Sequence, residues 1–383
     1  NPPKMGALES SLPFVWTGAT STDFATASNW ANNAVPLNGA DIEFDVNPNN
    51  DCHLDQNRAV RRITNTSNKK LVLNGHQLTL TGELVSATAN QIDVTAASSM
   101  LVFAGNTAQN LTSTKFVSNT LDGVTINNSN GLTQVGDITI ENQLTLTNGA
   151  FTIGTNTLTI NSGVTTTLGT LVGGSTSNIN VGGSGASTGF PSVVVNDFEL
   201  NRASGISLEG NVTISGDLDL TNGSLTLDGN TLTIATNTIN KGAGDIIANQ
   251  TSDTVDFQNT TGYTMPLGLF NSSTIENFTI SGAGGITINN NLTVTGVLNL
   301  QNANPSATKG LLDVSWTDNS TYNELIMGAN STTDGQGDVT GVIGRYAFNE
   351  GNSYSFGNKQ TLTTFNSGAI ALPNWLKVRI IIG

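Results

Sequence analysis

Asn211–Ile234 reads NVTISGDLDLTNGSLTLDGNTLTI. Val212, Ile214, Leu218, Leu220, Leu225, Leu227, Leu232 and Ile234 alternate there with Thr, Asp and Ser. That period of two predicts strands with one face buried and one face wet. Each strand is short, and Ser-Gly, Asn-Gly and Asp-Gly-Asn separate them, where Gly or Asn relieves the steric cost of a tight corner. The phrase returns at Asp137–Ile160 (DITIENQLTLTNGAFTIGTNTLTI) and at Asn291–Ala303 (NLTVTGVLNLQNA).

Working outward, LVLNGHQLTL at Leu71–Leu80 matches FTIGTNTLTI at Phe151–Ile160 and LTLDGNTLTI at Leu225–Ile234. The copies lie far apart, Ile138 aligning with Val212 and Val212 with Leu292, so the repeating unit is long. Within a copy, strands recur about every seven residues, as at Ile140, Leu146, Ile153 and Ile160. Three such strands to a turn make a coil of roughly 20 residues whose strands stack about 4.8 Å apart. The predicted fold is therefore all-β: a right-handed parallel β-solenoid, or β-helix, of about 15 coils. A β-sandwich wants longer strands, and a propeller wants four-stranded blades at a constant period.

Composition agrees with this reading. Across 383 residues only 11% are charged and 6% aromatic, and Gly, Asn, Thr and Ser stand where Lys and Glu usually do. Such a chain disfavours helix and suits short strands with many turns. The formal charge of −14, with Lys and Arg scattered, leaves no basic stripe for a phosphate backbone, so nucleic acid is excluded as a partner. No run of 18 apolar residues exists to insert in a membrane as a helix. With Cys52 as its one cysteine, the chain has no internal disulfide, and ladders and stacked side chains must hold it. Cys52 itself reads as a small buried apolar residue. The opening on Asn1 without Met fits a mature or excised product, and the uncharged surface reads as extracellular.

Three regions follow. Residues 1–55 form an atypical N-terminal cap holding Trp16 and Trp30, which suit the task of covering the first coil. Aromatic platforms for sugar are the rival role for these two residues. Residues 56–303 are the solenoid repeats. Residues 304–383 are irregular coils in which aromatics return, ending on an apolar strand with Val378, Ile380 and Ile382. Such a strand is suited to pairing with another subunit or domain, so Trp16, Trp30, Val378, Ile380 and Ile382 are the candidate assembly residues.

Candidate chemistry is sparse. Asp45, Asn47, Asn49, Asp51 and Asp55 alternate as calcium ligands do, and hard cations want six to eight oxygens. Against that, Asn50 stands where such a loop needs Gly, and Gln56 where it needs Glu, so a polar corner is the expectation and calcium its rival. His53 and His76 lack partners at catalytic spacing. One Cys and two His provide no zinc set. Asp217 and Asp219 face outward as carboxylates do in polysaccharide-cleaving β-helices, but no Lys, Arg or His shares their phrase to complete an acid and base pair. Outward pairs such as Thr145 and Thr147 invite an ice-binding reading, which Asp219 and Asn299 at the matching positions interrupt.

The opening Trp16-Thr-Gly, Thr22–Trp30 and Val35-Pro36, the segment Asp51-Cys-His-Leu, the recurring LTLTNG and LTIGTNTLTI-like phrases, and GDVTGVIGRYAFNEGNSYSFGN at Gly337–Asn358 resemble the large repeat-containing surface proteins of Bacteroidota exported by the type IX system. The resemblance implies secretion, a cell-surface location, and a structural or adhesive role in a fibre, stalk or matrix. The sorting domain such proteins carry has no counterpart here, which implies a further segment or retention by partners. The expected function is accordingly a non-catalytic module of an extracellular assembly, with self-association or other domains of that assembly as partners and glycan as a further ligand. A carbohydrate-binding or polysaccharide-degrading β-helix is the alternative.

Overall fold

The computed structural model describes residues 12–86, 88–302, 310–318, 320–346, 353–355, 362–364 and 375–380. Among them are 3-10 turns but no α-helix, and parallel strands stack as a β-solenoid of about 14 turns. Contacts divide the chain into two compact units, Asn1–Val172 and Gly173–Gly383.

In each unit three strands make a turn, and most strands pair in parallel with the one directly above. In the first unit Cys52 pairs with Leu71 and Leu71 with Ile92, while Leu78 pairs with Leu101. In the second, one column runs Val195, Ile214, Ile234, Phe257, Ile280, Leu300, rising one turn at each step. Ile179 lies under Phe198, Leu144 under Val164 and Leu78 under Leu101, close to the predicted coil length, whereas the steps from Leu292 to Leu325 and from Leu298 to Thr333 are much longer. All six members of the Val195 column are fully buried. Alternation puts every second side chain inside, and stacking sets apolar on apolar, so a fully buried Leu or Ile contributes about 1.5–3 kcal/mol.

Corners carry a device that the turn residues alone do not reveal. The side-chain Oδ1 of Asn57 accepts the N–H of Gln77 at 2.8 Å, Asp137 that of Thr157 at 2.7 Å, Asp197 that of Asp217 at 2.8 Å, and Asn211 that of Thr231 at 2.9 Å. Asn277 does the same for Val297 at 3.0 Å, and in all five cases donor and acceptor are 20 residues apart. Each of these Asn or Asp residues stands where a strand begins or just before it, and its short side chain extends the ladder around the bend, where the backbone carbonyls turn away. Glycine is required where coils touch at these bends. In the repeated Thr-Asn-Gly phrase, Gly149 and Gly223 have φ of +83° and +82°, and a Cβ on either would lie 1.8 Å from a carbonyl oxygen of the coil below. No side chain fits that position.

Leu146, Ile153, Leu220, Leu227 and Leu232 all point inward and are fully buried. Leu227→Asp would place an unpaired charge in this dry column and is expected to cost on the order of 4 kcal/mol or more. Denaturant unfolding checks this, and an unchanged midpoint would contradict the register.

Candidate functional site

The first candidate is the aromatic cluster of the opening segment. Strand Phe14–Trp16 lies parallel on Ala40–Phe44, with Trp16 opposite Phe44. Trp16 meets Trp30 edge to face with centroids 5.1 Å apart, and Trp30 meets Phe24 at 4.9 Å. Both indole N–H groups donate inward, Trp16 to the carbonyl of Asn50 and Trp30 to that of Phe24, each at 2.9 Å. With exposures of 0% and 2%, neither ring has a face left for a sugar or for another molecule. Both rings are packed inside the first unit, and the assembly surface expected of them is not on offer.

In the oxygen-rich run, neighbouring groups already engage the carboxylates. Asp45 Oδ1 accepts the N–H of Asn47, Asp51 Oδ1 that of Lys70 at 2.9 Å, and Asp55 Oδ1 takes the Arg58 guanidinium at 2.6 Å. Asn49 is exposed. Among the described residues no three His, Cys, Asp or Glu side chains come together as a metal-holding group. Asp51 does for Lys70 what Asp137 does for Thr157, accepting a backbone N–H of the next coil. Cys52 beside it is fully buried, and burial raises its thiol pKa well above the ordinary value, which suppresses the thiolate that reactivity needs. His53 joins the structure through its backbone, accepting from Phe24 N–H and donating to the Thr22 carbonyl.

Asp219 sits in an outward ladder between Glu199 below and Asn240 above. Asn240 Nδ2 donates to its Oδ1 at 2.5 Å, and Asp217 donates its backbone N–H to Asp197. The pair is therefore part of the coil-to-coil stitching. Threonines do stack in register over short runs: Thr120, Thr139 and Thr159 on one face, and Thr125, Thr145 and Thr165 on another. The second run rests on Val102, and in the other unit the Thr213 and Thr233 column continues into Asp256. Neither run extends into a long flat threonine array.

At the far end the strand expected to meet a partner is found on its own unit. Trp375–Ile380 pairs antiparallel with Val339–Tyr346, Val378 opposite Ile343 and Ile380 opposite Gly341. Alternation explains the outcome. Leu376, Val378 and Ile380 are half-buried on the side of fully buried Ile343, while Lys377 and Arg379 face out. The Lys377 ammonium pairs with Glu324, and the Arg379 guanidinium lies 3.4 Å from the centre of the Trp316 ring. A cation stacked on an aromatic face and an ion pair on the outer side, with apolar contact on the inner side, hold the strand in place. Ile382 lies outside the described residues.

What sequence reasoning missed is a cleft at Gly82, Glu83 and Lys115 in the first unit. Its signal is the lengthening of two successive coils, from Leu78 to Leu101 and from Leu101 to Val124, relative to the step from Leu144 to Val164. Arg61 and Arg62 border Gly82 and Glu83 there, and in the sequence they fall in a basic stretch with Arg58, Lys69 and Lys70, five of the chain's fourteen basic residues. Compared with family models, curated proteins and solved structures, the chain finds no match.

Val378→Asp is expected to release the last strand, seen as faster amide exchange at Val342–Arg345 with circular dichroism of the whole chain nearly unchanged. Unaltered exchange there would contradict the pairing described.

Proposed function

We propose that the chain is a structural or adhesive module of an extracellular bacterial surface assembly, exported by the type IX system and acting without catalysis. The observation that carries this reading is how each unit divides its side chains. Inward positions are stacked apolar residues, and outward positions repeat Thr, Asn, Asp and Ser in register from coil to coil, as in the Thr125, Thr145, Thr165 run. These polar runs are short but recur along each unit, which suits lateral contact with a matrix or with further copies. Stability that is summed over neighbouring coils suits a stalk or fibre, since length adds stability without a larger core. The resemblance of the Trp-bearing opening and the repeated phrases to surface proteins of Bacteroidota supports the same reading. Partners are then further copies of the chain or other domains of the assembly.

Light scattering and electron microscopy of the purified chain at rising concentration, together with retention of labelled protein on bacterial cells, test the proposal. Concentration-dependent association or retention on cells is expected. A chain that stays monomeric throughout and washes off cells would overturn it.

A further inference from the structure

One corner of the first unit is open. Strand Leu84–Ser86 pairs below with the end of Arg58–Asn65, and Gln109–Thr112 pairs above with Leu132–Val135, yet no ladder joins Leu84–Ser86 to Gln109–Thr112. Two side chains span the gap. Gln109, buried, donates its Nε2 to the carbonyls of Leu80 at 3.1 Å and Gly82 at 2.7 Å, and the Lys115 ammonium donates to the carbonyl of Leu84. The gap holds a cavity of about 200 Å³ bordered by Glu83, Val85, Asn110, Thr112 and Lys115. A second cavity of about 300 Å³, bordered by Asp41, Arg61, Arg62, Gly82 and Glu83, shares Gly82 and Glu83 with the first. Both lie against the same corner, at Gly82 and Glu83.

Its charge is opposite in sign to that of the chain. Arg61 is taken by Asp41 through two hydrogen bonds of 2.7 and 2.5 Å. What remains is Arg62 and Lys115 against Glu83, a net positive cleft on a chain of net charge −14. Arg62 is exposed. Burial lowers the Lys115 pKa, and Glu83 partly offsets that shift. Arg62 borders the second cavity and Lys115 the first. A polymer with carboxylates on separate units would place one in each cavity.

We propose that this corner cleft binds an acidic oligosaccharide, with its carboxylates on Arg62 and Lys115 and its hydroxyls on Asn110 and Thr112. A peptide strand is the poorer occupant, because it would bind through main-chain hydrogen bonds. The edge carbonyls of Leu80, Gly82 and Leu84 already accept donors from Gln109 and Lys115. Exposed carboxamide and hydroxyl groups with flanking cations match the hydroxyls and carboxylates of a uronic-acid chain. The inference rests on the adhesive half of the reading above and names its ligand class, but its test is separate from self-association.

The test is calorimetric titration of the full chain with a galacturonate oligomer, galacturonate monomer, a neutral galactose oligomer of equal length, and a poly-glutamate peptide. The acidic oligomer is expected to bind, more weakly as salt rises, and clearly more tightly than the other three. Arg62→Gln, an exposed change that should leave thermal unfolding unmoved, is expected to weaken binding roughly tenfold, and Lys115→Gln similarly. Absence of binding, equal binding by the neutral oligomer, the monomer or the peptide, or full affinity in the Arg62→Gln variant would each overturn the proposal. If the chain binds the oligomer yet never self-associates or adheres to cells, the cleft stands and the assembly reading falls.

Discussion

Everything in this chain depends on one constraint: a strand must lie directly over the strand one coil below it, with the same parity of side chains. If the register is kept, Ile214 rests on Val195 and Ile234 on Ile214, all in the dry interior. A slip of one residue would turn Thr213 and Thr233 inward and expose the whole column. Backbone pairing and apolar stacking therefore specify each other, and the corner Asn and Asp side chains fix the phase at the bend between strands. A coil can lengthen without harm, as the step from Leu78 to Leu101 does relative to that from Ile179 to Phe198, because the extra residues leave at corners, where no column has to be matched.

This explains which features were legible from the residues. The period of two in LTLDGNTLTI, returning with the same Asn-Gly corners, predicts inward Leu227 and Leu232 and a three-strand coil, and the structure places them so. The job of Asn211 or Asp197 was hidden, since these residues favour corners for their turn geometry whether or not the side chain also bonds the coil above. The final strand was ambiguous in a different way. Val378 and Ile380 alternating with Lys377 and Arg379 suits pairing with any open edge, and only three-dimensional placement tells that Val339–Tyr346 is that edge. Trp16 and Trp30 illustrate the same limit, because burial and not residue type separates a cap from a platform.

The cleft at Glu83 and Lys115 was the least legible feature. It arises where the ladder fails, and a failed ladder leaves no periodic mark: Gln109 and Lys115 are ordinary polar residues until the gap between two strands makes them struts. Where the ladder is kept, as between Asp219 and Asn240, outward side chains can bond from coil to coil, whereas the interruption leaves a cavity.

The coil register is tested most directly by paired cysteines on the outer face. Thr145 and Thr165 are ladder partners on adjacent coils, and Cys52, the native thiol, is buried. Strands paired in this way stand about 4.8 Å apart, within the range a disulfide spans. In the Thr145→Cys, Thr165→Cys variant, oxidation is predicted to close the bridge within one chain while leaving the fold intact, and the Thr145→Cys, Thr166→Cys variant, whose second thiol points to the other face, is predicted to stay reduced. Closure of the offset pair and failure of the matched one would contradict the stacked-coil account.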